Sequence, residues 1–345
     1  MAGEAQVLDL RTDEGQAAVI GGSRPLQVNR RTGRVQIMTQ RGLVVNSMLM
    51  RDEWAEIDRV VIEAARYPLV AVNDLRSRGL VHPLGGLGST LSRWYMSSEV
   101  TAANVNMSGR GGANRDLPEM IETASPVPVI FKDFEIDQRA LLASRRLFDG
   151  LDMTSLREAT RVVAEGGEGL LVNGSSVRLN GVSLYGYRSH PNRVTSSATA
   201  LGGGAWSTIA NIVPTLNGAI TALNNQNHYG PFVLYASTAQ YNAAALNYYG
   251  DASGQTPLQR ILLMPQISAV KLLPTAVLPA GELLLIQMDS NVADWAEPID
   301  LVGVQVREWA SDDGLAGMFK VMMVGTPRVK ARYDGKSGIM HITGA

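Results

Sequence analysis

Between Arg93 and Ile130 the chain carries two extended stretches around a glycine-rich centre, and neither has a face that could bury itself. Arg93 to Asn106 and Leu117 to Ile130 read as strands joined by Ser108-Gly-Arg-Gly-Gly-Ala-Asn-Arg115. That layout predicts a long hairpin with a mobile tip. Ser97, Ser98, Glu99, Thr101 and Asn104 make one arm largely polar. A lone two-stranded hairpin is marginal in water. The segment is therefore either an ordinary surface loop or an arm that reaches another surface, and its residues alone leave both open.

The flanking sequence can supply a core. Trp54, Ile57, Val61 and Ala64-Ala65 recur at helical spacing behind an acidic start at Asp52-Glu53, and Pro68 ends that helix. His82-Pro83-Leu84-Gly85-Gly86 reads as a turn. Val127 to Ile136 reads as a strand whose prolines, Pro126 and Pro128, place its start at a sheet edge. Asp137 can cap a helix running through Phe148. The clearest helix follows: Ser155-x-x-Glu158 has the form of a capping box, Leu156, Ala159, Val163, Gly166 and Leu170 form its stripe, and Asn173-Gly174 stops it. Gly166-Gly167 in mid-helix costs about 1 kcal/mol per glycine relative to alanine, which points to close backbone packing. Ser196 to Gly204 reads as a linker. Beyond it, helices at Trp206 to Leu223, Ser237 to Tyr248 and Pro257 to Met264 alternate with strands at Phe232 to Tyr235, Ile267 to Leu273 and Leu283 to Met288. That is a compact α/β unit. After Pro298 the pattern is all strand (Ile299 to Glu308, Gly317 to Val324, Arg328 to Tyr333). Pairing of these with the Val127 strand would make the first domain discontinuous.

Charge and composition narrow the function. The 345 residues carry 31 Lys+Arg against 32 Asp+Glu, a formal net charge of -1, so the chain is not a basic nucleic-acid binder as a whole. Zero cysteines exclude disulfides, thiolate metal sites and thiol nucleophiles. No signal peptide and no uninterrupted apolar span is read, because Lys271, Pro274, Pro279 and Glu282 break the most apolar region. The first fifty residues lack a helical stripe and do not read as a compact domain. From Gly15 to Arg51 they hold six arginines and no acid. This is either an arm lying on a neighbouring subunit or polyanion, or a solvated terminus.

The search for chemistry returns no catalytic, cofactor-binding or metal site. His82, His190, His228 and His341 are scattered without ligand spacing. Gly109-Arg-Gly-Gly-Ala is a tip rather than a strand-to-helix turn, and Gly250-Asp-Ala-Ser-Gly-Gln-Thr256 lacks the lysine of a phosphate loop. Glu165 and Glu168, three apart on the long helix, read as a solvated or interface face rather than as an acid/base pair.

The order of these features resembles the encapsulin shell proteins, whose fold is shared with the major capsid proteins of tailed bacteriophages. The resemblance is carried by Trp54-x-x-Ile57-Asp58, His82-Pro83-Leu84-Gly85, the long hairpin, the Pro128 strand and Leu151-Asp-x-x-Ser155-Leu156-x-Glu158 running to Asn173-Gly174. Tyr229-Gly-Pro-Phe-Val-Leu-Tyr and Val321 to Pro327 complete it. It spans residues 50 to 340. It implies an α+β capsid fold with an N-terminal arm (1–50), an extended loop (86–126) lying across a neighbour, and an apical domain (206–296) around the capsomer axes. A discontinuous peripheral domain (51–85, 127–205 and 297–345) would carry the long spine helix.

Within that fold, the fifty residues before the Trp54 helix and the long loop are more typical of phage capsids than of shells. The resemblance therefore implies a non-enzymatic major capsid protein that self-assembles, as pentamers and hexamers, into the icosahedral head of a tailed double-stranded DNA phage. The alternative is the shell of a bacterial nanocompartment around a cargo enzyme. Implied partners are other copies, a separate scaffold protein (no long heptad-like segment precedes the fold), a portal, a cement protein, and packaged DNA held by weak nonspecific contact. No membrane and no cofactor is implied. The location is the virion, after assembly in the host bacterial cytoplasm. Expected intersubunit contacts are Arg24, Arg30, Arg31, Arg34, Arg41, Arg110, Arg115, Glu165 and Glu168. Some capsids of this fold close with a Lys–Asn isopeptide bond. The loop from Gly86 to Ser125 has no lysine, Lys132 being the nearest, so a noncovalent shell is expected.

Overall fold

The computed structural model describes residues 17–19, 25–28, 34–38, 44–66, 68–98, 100–105, 107, 112, 115–147, 153–249, 254–309, 316–331, 335 and 337–345. Four short strands open the chain: β1 (Ala17–Val19), β2 (Pro25–Val28), β3 (Arg34–Met38) and β4 (Val44–Met50). They pair antiparallel in chain order, so the described part of the first fifty residues is a meander.

β4 runs straight into α1 (Arg51–Arg66), whose first turn holds Asp52 and Glu53. Its buried face is Ile57, Val60, Val61 and Ala65, with the Trp54 ring edge-on to Phe319 at 5.9 Å. After Pro68 come α2 (Ala71–Ser77) and β5 (Val81–Leu84). His82 and Pro83 thus lie in a strand rather than a turn, and the chain reverses only at Gly85-Gly86, where Gly86 takes φ 118°.

The long hairpin is shorter than its sequence pattern. β6 (Leu91–Ser97) and β7 (Met120–Pro126) pair from Leu91↔Pro126 to Ser97↔Met120. Beyond them the polar arms carry no further strand among the described residues. β8 (Val129–Asp137) leads into α3 (Gln138–Leu147), where the Arg139 amide donates to Asp137 Oδ1 at 2.9 Å as the capping reading requires.

The spine helix α4 (Thr154–Asn173) starts two residues earlier than the capping-box reading allows. Met153 is its N-cap without a side-chain bond, and Glu158 pairs with Arg161 instead. Its C-terminal stop holds: Gly174 has φ 75°, and β9 (Gly174–Leu179) begins there, paired with β10 (Val182–Tyr185).

The proposed linker at 196–204 is built into the fold. β11 (Val194–Ser197) joins a sheet, and a Cβ at Gly203 would lie 2.0 Å from Thr215 Oγ1. The glycines there permit close approach rather than freedom. Trp206 is buried in a turn, and helix α5 (Ile212–Asn224) begins only after it, with Pro214 in the first turn. The α/β unit follows: β12 (Phe232–Ser237), α6 (Thr238–Leu246), α7 (Pro257–Leu262), β13 (Ile267–Leu273) and β14 (Glu282–Gln287). Thr256 and Gln259 form a true capping box on α7.

The remaining strands are β15 (Ala293–Pro298), β16 (Val304–Trp309), β17 (Ala316–Val324), β18 (Thr326–Val329) and β19 (Ile339–Thr343). Three sheets tie distant sequence together. One runs β11-β19-β14-β12-β13, the second β18-β15-β5 and the third β16-β17-β8. The late strand β17 pairs with the early strand β8 from Ala316↔Asp137 to Val324↔Val129, as the late-strand pattern suggested, and β8 is the sheet edge. One hydrophobic cluster lies between α1, α4 and the β8/β17 sheet; a second lies under α5, α6 and α7. Gly166 and Gly167 are where α4 meets that sheet: a Cβ would lie 3.1 Å from Ile130 Cγ2 and 2.6 Å from Met323 Sδ, respectively.

Candidate assembly surfaces

The hairpin is anchored at its root and bare at its end. At the root, Ser125 Oγ and Thr326 Oγ1 share a buried hydrogen bond of 2.8 Å, linking β7 to β18. The Arg328 guanidinium lies 5.9 Å from the Trp94 ring centre and forms a buried two-armed pair with Asp294, whose Oδ2 is also 3.0 Å from Lys330 Nζ. A groove of about 330 Å³ beside this root is lined by Trp94, Met96, Tyr185, His190 and Pro327 among others. Burial, with Arg193 adding to it, pushes the His190 imidazole down to about 4, so it is neutral at physiological pH.

Past Ser98, whose amide donates to the Glu119 carbonyl, the two arms touch through Asp116, which accepts from the Thr101 amide at 2.8 Å and from its hydroxyl. Thr101 holds the Asp116 carboxyl below its usual range. The apolar side chains beyond find no cover in their own subunit: Val105 is 96% exposed, Met107 105% and Leu117 95%. Val100 on the first arm, and Tyr95 of β6 and Met120 of β7 in the paired part of the hairpin, are exposed as well. Scattered exposed apolar residues are normal, and these lie on arms that pair with no strand among the described residues, which makes the arms a candidate contact surface.

A second apolar group lies on the α/β unit. Tyr229 precedes β12, Leu246 ends α6 with Tyr248 two residues beyond it, and Leu262 ends α7 with Leu263 next to it, all of them exposed. The Arg260 guanidinium stacks 3.7 Å from the Tyr249 ring centre nearby.

The expected contact residues divide. Arg115 is exposed on the loop arm. Arg24, Arg30, Arg31, Arg41 and Arg110 lie outside the described residues, and Arg34 is described only as the first residue of β3. Glu165 is on the surface of α4, with Oε1 2.7 Å from Arg161 Nη1. Glu168 is no surface residue: it has zero exposure, and Oε1 accepts from the Ala71 amide at 2.6 Å. Reading Glu165 and Glu168 as one face fails because a three-residue step on α4 crosses the rim of its buried stripe. The exposed loop apolars and the root clamp were not singled out from sequence. The apolar residues at 105, 107 and 117 could have signalled the first; nothing local signals a bond between residues 201 positions apart.

Among the described residues no group of three or more His, Asp or Glu is placed to hold a metal, and no helix is long and apolar enough to cross a membrane.

Residues 44–342 match the family model described as a family of unknown function, DUF6260, and the chain belongs to that family. The structure is similar to a virus-like particle protein from Pyrococcus furiosus, at 14% identity and a TM-score of 0.59, over 84% of this chain and 98% of that one. It is similar to the capsid of Myoviridae phage XM1 at 13% identity and a TM-score of 0.56, over 77% and 89%. The capsid of an empty GTA particle matches at 12% identity and a TM-score of 0.52, over 79% and 90%. The chain has the encapsulin-like fold of tailed-phage capsid proteins.

Proposed function

We propose that this chain is a major capsid protein that assembles with other copies of itself into a closed shell, the head of a tailed double-stranded DNA phage. One observation carries the reading: a hairpin clamped at its root presents fully exposed Val105, Met107 and Leu117 on an arm with no core of its own. Burying one such side chain is worth roughly 1.5–3 kcal/mol, so covering three or four per subunit, repeated around a shell, supplies a strong drive to associate. The fold supports this reading.

On this reading the loop 86–126 lies on a neighbouring copy. The exposed group at Tyr229, Leu246 and Leu262 meets other copies where apical domains converge. The subunit is a structural protein rather than an enzyme. Portal, scaffold and cement proteins and packaged DNA are its further partners, and the virion is its place. The arginines of the first fifty residues either pair with carboxylates of neighbours or face the genome.

The encapsulin-like motif order keeps a nanocompartment shell as the second reading. Particles purified from the chain's native source decide between them. Closed shells containing double-stranded DNA support the phage head; closed shells filled only with protein support the compartment. A chain that stays monomeric throughout contradicts both.

A further inference from the structure

The hairpin concentrates the exposed sulfur of the molecule. The chain has 14 methionines and no cysteine, so thioethers are the side chains that a peroxide oxidises most readily. Most of those described are sheltered. Met153, Met288, Met323 and Met340 are buried, and Met96, Met264 and Met322 are half-buried. Three stand out among the described residues: Met318 on β17 is 36% exposed, Met120 at the start of β7 67%, and Met107 at the end of the first loop arm is fully exposed. The two most accessible thioethers therefore both belong to the hairpin.

Met107 keeps apolar company. Val105 two residues before it and Leu117 on the returning arm are as bare as it is. A flexible, polarisable thioether among aliphatic side chains suits an apolar contact. Oxidation reverses that character, because the sulfoxide is polar and chiral. Covered by an apolar surface, the new oxygen loses its water and gains no donor. That weakens association on the order of tenfold for each contact.

We propose that Met107, with Met120 as its slower companion, is an oxidative modification site that takes hydrogen peroxide or an alkyl hydroperoxide, and that its sulfoxide form blocks the loop contact. The block rests on the proposed seat of loop 86–126 on a neighbouring copy; the site itself does not.

The step balances without a further reactant. A sulfur lone pair attacks one peroxide oxygen, the S–O bond forms as the O–O bond breaks, and sulfur gives up two electrons. The departing oxygen takes the proton of the transferred hydroxyl and leaves as water or as an alcohol. Methionine sulfoxide reductases return the thioether, two thiols giving a disulfide and water. A thioether covered by a neighbour is out of reach of peroxide. The subunit is thus sensitive before assembly and protected after it.

Dilute hydrogen peroxide, applied to the full-length chain as dispersed subunits and as assembled particles, tests this, with peptide mass spectrometry following each methionine. In dispersed subunits Met107 should take up one oxygen first, on the order of tenfold ahead of buried Met323, with Met120 between them. In particles the uptake at Met107 should slow by a similar factor. Oxidised subunits should fail to sediment as particles at the concentration where untreated ones do, and reductase with thiol should restore assembly. The double variant Met107→Leu/Met120→Leu, compared only with its own untreated sample, should lose the response to peroxide. Uptake at Met107 no faster than at Met323 in dispersed subunits overturns the site, whatever becomes of the shell. Normal assembly of chains carrying the sulfoxide at 107, or a peroxide response kept in the double variant, overturns the block. Subunits that form no particle even untreated overturn the shell reading and the block with it, while the mass spectra still decide the site.

Discussion

Replacing Gly167 by alanine should destabilise this protein, and the same replacement two residues on, at Gly169, should stabilise it. Both glycines lie inside α4, so both substitutions gain the same helix propensity, about 1 kcal/mol. Both also restrict the unfolded chain alike, so that contribution cancels in the comparison. What differs is space. A Cβ at Gly167 would sit 2.6 Å from Met323 Sδ, 3.1 Å from Met323 Cε and 3.7 Å from Leu69 Cδ2, whereas at Gly169 nothing lies within 4 Å. Met323 is fully buried and flanked in its sheet by Val304 and Ile130, so its thioether has little room to retreat. Overpacking of this kind costs roughly 1–3 kcal/mol. Set against the propensity gain, Gly167→Ala should lose about 1 kcal/mol and Gly169→Ala should gain about 1 kcal/mol, a gap of about 2 kcal/mol. Urea unfolding followed by tryptophan fluorescence gives the gap as a difference in midpoints, provided the slopes agree. Equal midpoints, or a Gly167→Ala chain more stable than Gly169→Ala, would refute the claim that α4 meets its sheet at backbone distance.

Three further outcomes are expected. Arg328→Ala leaves Asp294 with Lys330 alone, and should destabilise by about 3 kcal/mol in urea unfolding, the low end for breaking a buried ion pair, with Asp294→Asn restoring part of the loss. Burial pushes the Glu282 carboxyl up, but Arg188 and His341 outweigh it and hold it below the usual range. Its contribution is therefore present above the ordinary value of 4.5 and lost as pH falls through the lower folded value, and Glu282→Gln should flatten the acid limb of stability against pH. Val105→Ser combined with Leu117→Ser should abolish particle formation in sedimentation velocity while leaving circular dichroism unchanged, because both side chains are exposed in the subunit. Loss of the subunit fold would assign them to the core instead.

Much of the architecture could be read along the chain because its signals are local. Asp52-Glu53 and Pro68 bracket α1, Asn173-Gly174 ends α4, and the apolar runs at 232–235 and 283–288 become the central strands β12 and β14. The misreadings arose where a local motif lost to a tertiary contact. Ser155 has the spacing of a cap, yet the helix starts at Thr154 and Glu158 serves Arg161. Ser196 to Gly204 has the composition of a linker, yet its glycines let the chain pass against Thr215 and Asn211. Glu168 reads as the surface partner of Glu165, yet it caps α2 from 97 residues away. A sequence window shows that a backbone can bend or that a carboxylate lies on a helix. It does not show which distant donor the carboxylate will find, and at the hairpin root and at Glu168 those distant partners make the structure.

The shell account stands on the loop. A cryo-electron microscopy reconstruction of the assembled particle tests it most directly. The account predicts that residues 98–119 of each subunit lie against a neighbouring copy, with Val105, Met107 and Leu117 covered by that copy. Particles in which these side chains project into solvent, their neighbours joined by other surfaces alone, would contradict it.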